Sequence, residues 1–185
     1  EILQSHRTEV LDAIAEDQPL PAVLEKLIAV LESYQPELVA SVLLLDEATG
    51  QLRHGAAPSL PDAFNAAADG LRIGTGVRSC GTAAYEKRVV IVEDIRTHPY
   101  WENYREIAET HGLRSCWSQP LVGRDGSVLG SFALYRSEPH IPSSDEQDLV
   151  RMIAHVAEIA IRRSRDVTRQ MEAEAALQVA NNALE

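Results

Sequence analysis

The C-terminal part of the chain contains no helix breaker. Neither glycine nor proline occurs from Ser143 to Glu185, and Ser143 with Glu146 forms the pattern of a capping box, which marks the start of a helix. The apolar residues spaced for one buried stripe are Leu149, Ile153, Val156, Ala157 and Ala160. A helix of this length exceeds what a small domain needs to cover its core, so part of it must have another use.

The far end of this helix carries an imperfect heptad. Counting in sevens from Ile153 gives the seam residues Ile153, Val156, Ala160, Arg163, Val167, Gln170, Glu174, Leu177, Asn181 and Leu184. Several are polar, and Met171 indicates a second register, so the pattern predicts a weak coiled coil over residues 163–185. A weak seam favours a two-state relay element, because a small change in packing energy can shift its register. The alternative is a tail that frays.

Upstream of this helix, helical and strand patterns alternate along the chain. Helical spacing covers the first twenty residues up to the Pro19 and Pro21 pair, then residues 20–35, 58–69, 80–86 and 100–111, whereas strand patterns cover residues 38–45, 51–56, 89–92, 115–122 and 127–135. Turn residues at 46–50 and 123–126 join two strand pairs as antiparallel hairpins. The sequence predicts an α+β fold, with an antiparallel sheet of five or six strands flanked by helices and with extended terminal helices.

Length, charge and cysteine content limit the class of protein. The 185 residues fit one domain with a surplus, which we expect in the two terminal helices. The net charge of −11 repels nucleic acid and anionic membranes, so neither is expected as a partner. Two cysteines fit a reducing compartment, and no signal peptide or apolar span is visible, so we expect a soluble, cytoplasmic protein. Because the chain opens with Glu1 and closes within a helical pattern, we expect a segment of a longer polypeptide.

Five short motifs occur along the middle of the chain: Gly74-Thr75-Gly76-Val77, Cys80-Gly81-Thr82-Ala83-Ala84, Val89-Val90-Ile91-Val92-Glu93-Asp94-Ile95, Ser118-Gln119-Pro120-Leu121 and Gly130-Ser131-Phe132-Ala133-Leu134. Together they resemble a GAF domain over about Pro21 to Arg162. The resemblance implies an N-terminal connector helix at 1–20, a GAF sensory domain at 21–162 and a C-terminal signalling helix at 163–185. The run Ser115-Cys116-Trp117-Ser118 is similar to GAF domains that precede cyclic di-GMP synthases, cyclic di-GMP phosphodiesterases or histidine kinases.

The resemblance also implies a function without catalysis in this segment. The expected domain binds a small molecule in a pocket between the sheet and its helices, forms a homodimer through its terminal helices and relays the change to a covalently linked output domain outside the segment. Two alternatives remain. One is a redox enzyme similar to free methionine sulfoxide reductase, with Cys80 as its nucleophile, and the other is a dimerisation module with no ligand.

Half of the expected ligand-binding residues are aromatic. The whole set is Cys80, Asp94, Trp101, Tyr104, Cys116 and Trp117. Tyr100, Trp101, Tyr104 and Trp117 cluster in the segments that would wall a GAF pocket, and aromatic faces stack on planar ligands. Asp94 can accept a ring N–H, and Arg78 or Arg114 can pair with a carboxylate or phosphate. The alternative is that the aromatic rings fill the pocket themselves.

The glycine loop and the cysteines each have a structural alternative. Backbone N–H groups from Gly74 to Gly81 can hold an anion, but the loop lacks the lysine of a P-loop and the third glycine of a dinucleotide fingerprint, so a structural turn is favoured. Cys80 matches one cysteine of the reductases, but residues 98–108 carry none of the further cysteines of that family. A buried, inert thiol is therefore favoured for Cys80 and for Cys116.

The cofactor is left open by the sequence. Haem or a cyclic nucleotide is compatible with the resemblance, and His54, His98 and His111 flank the expected pocket, but no pair has metal-ligand spacing. Surface or capping roles are favoured for these histidines, and no metal site is predicted. A bilin would need a cysteine where Trp101 and Glu102 stand, so a bilin is disfavoured.

Overall fold

The computed structural model describes residue 8 and residues 11–183. Its elements in chain order are helix α1 (Leu20–Tyr34), strands β1 (Val39–Asp46) and β2 (Gln51–Ala56), helix α2 (Asp62–Ala68), strand β3 (Leu71–Arg72), helix α3 (Arg78–Glu86), strand β4 (Val90–Val92), a 3-10 helix (Pro99–Trp101), helix α4 (Arg105–Thr110), strands β5 (Ser115–Val122) and β6 (Val128–Arg136), and helix α5 (Ser144–Asn182). Residues 11–15 are also helical. Residues 16–19 of the expected connector helix are not helical, and Leu3 and Val10 lie outside the described residues.

The six strands form one sheet in the order β3-β2-β1-β6-β5-β4, and every pair in it is antiparallel. Both expected hairpins, β1-β2 and β5-β6, are present, and β5 has the expected bounds. The expected α+β class is confirmed. The sixth strand is a two-residue piece, Leu71–Arg72, in a segment expected to be loop, where it pairs with Gln51 and Leu52.

The expected single helix over residues 100–111 is wrong. The structure has a 3-10 turn at Pro99–Trp101, and then α4 begins at Arg105. His98 ends the preceding extended segment and caps the turn, because its Nδ1 accepts a hydrogen bond from the Tyr100 N–H at 3.2 Å. The break between the two pieces turns Trp101 into the core, where it is fully buried.

The sheet separates two buried clusters. The first face packs against α1 and α5 through apolar side chains such as Leu24, Ile28, Phe132, Leu134 and Ile153. The second face packs against α2, α3, the 3-10 turn and α4 through a cluster that includes Phe64, Cys80, Trp101, Cys116 and Tyr135. The second face holds the candidate site.

Helix α5 is one continuous helix that changes surroundings along its length. The capping box is confirmed: Glu146 N–H donates to Ser143 Oγ at 3.3 Å and Ser143 N–H donates to Glu146 Oε2 at 2.7 Å. Its buried residues end at Ile161, and every described residue from Asp166 onward is exposed. Across the part of the chain that the structure describes, no helix is both long and apolar enough to cross a bilayer.

Candidate functional site: a buried arginine among aromatic rings

The second face of the sheet is polar at its centre. Side chains two residues apart on a strand share a face, which places Ser41 of β1, Cys116 and Ser118 of β5, and Ser131 and Tyr135 of β6 on this face, and all five are buried. Tyr135 shares a hydrogen bond with Ser41. The Ser131 hydroxyl has no hydrogen-bond partner, which is unusual for a buried polar group and leaves it available to a ligand.

Arg78, the first residue of α3, lies above this face and is fully buried. Its guanidinium carbon lies 4.6 Å from the ring centroid of Trp101, 4.9 Å from that of Phe64 and 5.2 Å from that of Tyr104. These distances are those of cation–π contacts, which attract a positive charge to a ring face. We call Arg78, Phe64, Trp101 and Tyr104 the Arg78 cage.

The nitrogens of Arg78 lack acceptors. Nε, Nη1 and Nη2 are all buried without a hydrogen-bond partner, although a guanidinium carries five N–H donors and buried charges in proteins are normally paired. The backbone of Arg78 also has a φ of +51°, a left-handed conformation that costs a non-glycine residue about 1–2 kcal/mol. Backbone strain is common at functional sites, and together with the buried, unpartnered guanidinium it makes Arg78 a candidate for ligand binding.

Neighbouring residues hold the cage in place. Trp101 Nε1 donates a hydrogen bond to the hydroxyl of Ser79, the residue after Arg78, at 2.9 Å. Tyr135 meets Trp101 and Phe64 edge to face, with centroid distances of 6.3 and 5.4 Å. Among the cage residues, Tyr104 alone is half-buried rather than buried. Tyr104 therefore marks the side of the cage that faces solvent.

Cys80 and Cys116 belong to the same buried cluster, and both are free thiols. Burial raises the pKa of Cys80 and raises that of Cys116 to about 12. The nucleophilic form of cysteine is the thiolate, so both side chains are neutral and unreactive at pH 7. This environment favours the inert-thiol interpretation over a nucleophilic Cys80.

Trp117 does not lie with the other pocket aromatics, so the expected grouping of Trp117 with Trp101 and Tyr104 is wrong. Trp117 follows Cys116 on β5, and neighbouring side chains on a strand point to opposite faces. Trp117 therefore packs into the cluster beneath α1 and α5.

Asp94 is already paired. Arg114 binds it with two nitrogens, at 3.2 Å to Oδ1 and 2.6 Å to Oδ2, and the Arg96 N–H donates to Oδ1 at 3.0 Å. Asp94 and Arg114 satisfy each other near the surface. Of the two arginines that the sequence offers for an anion, Arg78 is the one left without a hydrogen-bond partner.

The glycine loop and the histidines have structural roles in the described chain. The Gly76 N–H donates to Thr82 Oγ1 at 3.0 Å and the Gly74 N–H to the Gly81 carbonyl at 3.3 Å, as in a structural turn. His98 caps the 3-10 turn, and burial lowers its pKa. His111 meets the edge of Phe64, and His54 is exposed. Among residues 11–183, no three His, Cys, Asp or Glu side chains are grouped to hold a metal ion.

Several residues near the cage were missed by the sequence interpretation. Phe64 is the one large side chain in the alanine-rich helix α2, which is a pattern that could have marked it. Strand alternation along β6 could have placed Ser131 and Tyr135 on the face of Cys116. The isolation of Arg78 depends on tertiary packing, and no local pattern indicates it.

The Asp94–Arg114 pair gives the domain an acid-sensitive contribution to stability. The hydrogen bond from Arg114 lowers the pKa of Asp94 in the folded state. The contribution is therefore present above the unfolded pKa of about 4 and is lost as pH falls through the lower folded value. We expect Asp94→Asn to lower the thermal midpoint at neutral pH, and we expect this deficit to shrink in acid. Thermal unfolding between about pH 7 and pH 3 tests this. A deficit that is constant across that range would contradict it.

Comparison with known proteins agrees with the fold described above. The family model described as a GAF domain matches residues 17–162. The Methyl sulfide methyltransferase-associated sensor of Methanosarcina acetivorans is 38% identical over 160 residues. That match covers 86% of this chain but only 16% of the sensor, so the chain spans a small part of that relative.

Two solved structures share the fold at low identity. A domain assigned to a two-component sensor histidine kinase of Sinorhizobium meliloti 1021 matches with a TM-score of 0.67 at 24% identity, over 83% of this chain and 99% of that one. The free methionine-R-sulfoxide reductase of Neisseria meningitidis, in complex with its substrate, matches with a TM-score of 0.66 at 20% identity, over 86% of this chain and 88% of that one. Sequence motifs, sheet topology and family model agree, and the chain belongs to the GAF domain family.

Proposed function

We propose that this GAF domain is a cytoplasmic sensor in a longer signalling protein, and that it binds a small molecule at the Arg78 cage and passes the change to an output domain through α5. The observation that carries the proposal is the continuity of α5, which is part of the core up to Ile161 and is exposed from Asp166 onward. A helix shared in this way can transmit a change in core packing to whatever follows it.

Contacts between α5 and the sheet support a coupling route. Arg165 Nη2 donates to the carbonyls of Leu45 on β1 and Leu129 on β6, at 2.7 and 3.2 Å. Glu158 Oε1 accepts the N–H of Val122 on β5 at 3.0 Å. The same three strands carry the buried serines of the second face. A ligand that shifts those strands therefore acts on the hydrogen bonds that hold α5.

The exposed part of α5 supports a homodimer. Its apolar side chains are between 46% and 70% exposed: Val167, Met171, Leu177 and Val179. Covering them with a second helix removes apolar surface from water, which stabilises the pair of helices. Together with the expected weak coiled coil over 163–185, these side chains favour a dimer that can change register. We propose the domain bounds 1–20, 21–162 and 163–185 on this basis.

The output domain is proposed by class only. A histidine kinase has fold-level support from the Sinorhizobium meliloti structure. A cyclic di-GMP synthase or phosphodiesterase rests on the Ser115–Ser118 resemblance alone. The sensor named in Methanosarcina acetivorans supports a regulatory role for the domain itself. Catalysis by Cys80 is not favoured, because the thiol is buried and its pKa is raised.

The dimer is tested by placing charge on the exposed stripe of α5. We expect Val167→Glu with Met171→Glu to weaken self-association at least about tenfold, because charges at a helix seam oppose pairing, with little change in the thermal midpoint. Ala176→Glu, on the same exposed segment but outside the heptad seam, should remain dimeric. Sedimentation velocity gives the oligomeric state. A monomeric unmodified chain, or equal association by all three proteins, would contradict the dimer.

The sensory role is tested by native mass spectrometry of the full chain, which reports a retained small molecule together with the oligomeric state. Hydrogen exchange is then measured with and without the molecule. We expect protection to change in α5 beyond Ile161 as well as near the cage. A ligand that alters exchange only around the cage would remove the relay from the proposal.

A further inference from the structure

We propose that the Arg78 cage binds a small organic monocarboxylate, whose carboxylate pairs with the Arg78 guanidinium. This inference rests on the proposed sensory function, since it names the chemistry of the molecule that the pocket takes. The proposal stands on a fully buried arginine whose three side-chain nitrogens lack acceptors.

Within residues 11–183, the side-chain nitrogens of Arg78 form no hydrogen bond to a carboxylate. The titratable groups that sense its charge are Cys80, Cys116 and Tyr135. Burial raises the pKa of each, so all three are neutral at pH 7. The carboxylate of Asp94, by contrast, is paired with Arg114. A buried cation without an anion is costly, and an anionic ligand removes that cost.

The aromatic rings attract the charge of Arg78 but do not neutralise it, and they accept none of its side-chain N–H groups. Phe64, Trp101 and Tyr104 attract the guanidinium through their faces. No ring supplies an oxygen acceptor for the N–H donors. A carboxylate does, and its two oxygens match the paired donors of a guanidinium.

The surroundings favour one negative charge over two. Arg78 is the cation of the cage, and the facing sheet presents hydroxyls, including the unpartnered hydroxyl of Ser131, and the neutral Cys116 thiol. A phosphate carries up to two charges and is normally held by several cations or N–H groups. A monocarboxylate balances one guanidinium, and the three rings suit an apolar body attached to it. Tyr104, the half-buried member of the cage, is the proposed point of entry.

The test uses acetate, propionate and benzoate as probes with the full chain, against sodium chloride at equal ionic strength and against benzamide, a neutral analogue of benzoate. We expect at least one carboxylate to raise the thermal midpoint by several degrees, whereas chloride and benzamide do not. Inorganic phosphate should act no better than chloride. Equal effects of phosphate and carboxylate, or no effect of any carboxylate beyond chloride, would overturn the assignment.

Variants test whether the thermal response to a carboxylate depends on Arg78. Arg78→Met keeps most of the side-chain volume and should lose the carboxylate response, whereas Arg78→Lys should weaken affinity at least about tenfold, because an ammonium cannot bind both oxygens in a fork. Arg53→Met removes an arginine that is 52% exposed and should respond like the unmodified chain. A response that survives in Arg78→Met would overturn the proposal.

A measurement on the unmodified chain covers the case in which the Arg78 variants do not fold. In a sample labelled with 15N-arginine, the Nε–Hε resonance of Arg78 should shift on titration with the binding carboxylate, and no shift would overturn the proposal. The failure of the carboxylate inference can be distinguished from the failure of the proposed sensory function. If a neutral molecule binds and no carboxylate does, the sensory function stands and this inference falls. If a carboxylate binds without changing hydrogen exchange in α5, this inference stands and the relay falls.

Discussion

Replacing Gly130 with alanine is expected to lower the free energy of unfolding by about 3 kcal/mol, which lies at the upper end for an overpacked core. Gly130 lies on β6 opposite Leu44 of β1, at the centre of the sheet. A Cβ at this position would overlap the carbonyl oxygen of Leu43 and lie 3.1 Å from the Cα of Leu44. These are backbone atoms in a hydrogen-bonded strand, so relief requires the two central strands to separate.

Gly74→Ala is the matched control. A Cβ at Gly74 would lie 3.5 Å from a methyl group of Val77, which is an ordinary contact, so we expect a change within about 0.5 kcal/mol. Urea unfolding followed by circular dichroism measures both. If the two alanine variants had the same midpoint, the close approach of β1 and β6 at Gly130 would be wrong.

Trp101→Ala is expected to lower the free energy of unfolding by about 3–5 kcal/mol, the range for truncating a buried aromatic residue. Trp101 is fully buried, packs on Tyr135 and Arg78, and bonds Ser79 through Nε1. Its removal leaves a cavity, an unpaired serine hydroxyl and an arginine with one ring fewer. Urea unfolding gives the loss of stability, and the thermal response to benzoate reports the state of the cage.

Trp117→Ala distinguishes an effect on the Arg78 cage from an effect on the stability of the whole domain. Trp117 is 5% exposed but packs on the opposite face of the sheet, so its truncation should destabilise the domain by a comparable amount while leaving the anion response in place. Loss of that response in both variants would show that it depends on overall stability rather than on the cage. Retention in both would show that Trp101 does not contribute to binding.

The elements predicted correctly are those encoded by neighbouring residues. Ser143 and Glu146 cap α5 as their spacing indicates, and the turn at 123–126 joins β5 to β6 as its glycines indicate. The strand Leu71–Arg72 was missed because two residues have no period of their own, and they become a strand only by pairing with β2. Local pattern cannot supply that partner.

The candidate site was predicted in part, for a similar reason. The clustering of aromatic residues correctly brought Trp101 and Tyr104 together, but grouping by proximity in sequence ignored the period of two in β5, which turns Trp117 away. Arg78 and Arg114 were equivalent candidates until tertiary structure paired Arg114 with Asp94, twenty positions earlier in the chain. Arg78 is distinguished by the absence, within the described chain, of a hydrogen-bond acceptor for its side-chain nitrogens.

The hydrogen bonds from Arg165 to Leu45 and Leu129 fix where α5 leaves the sheet. The seventeen residues from Asp166 to Asn182 form a rod about 25 Å long beyond that point, at 1.5 Å per residue. Arg165 is therefore the point about which the exposed part of α5 would tilt. A tilt of about 10° at this position would move the far end by about 4 Å, which is most of the pitch of one helical turn, about 5.4 Å. A movement of α5 that is too small to alter the shape of the Arg78 cage would therefore be large at Asn182.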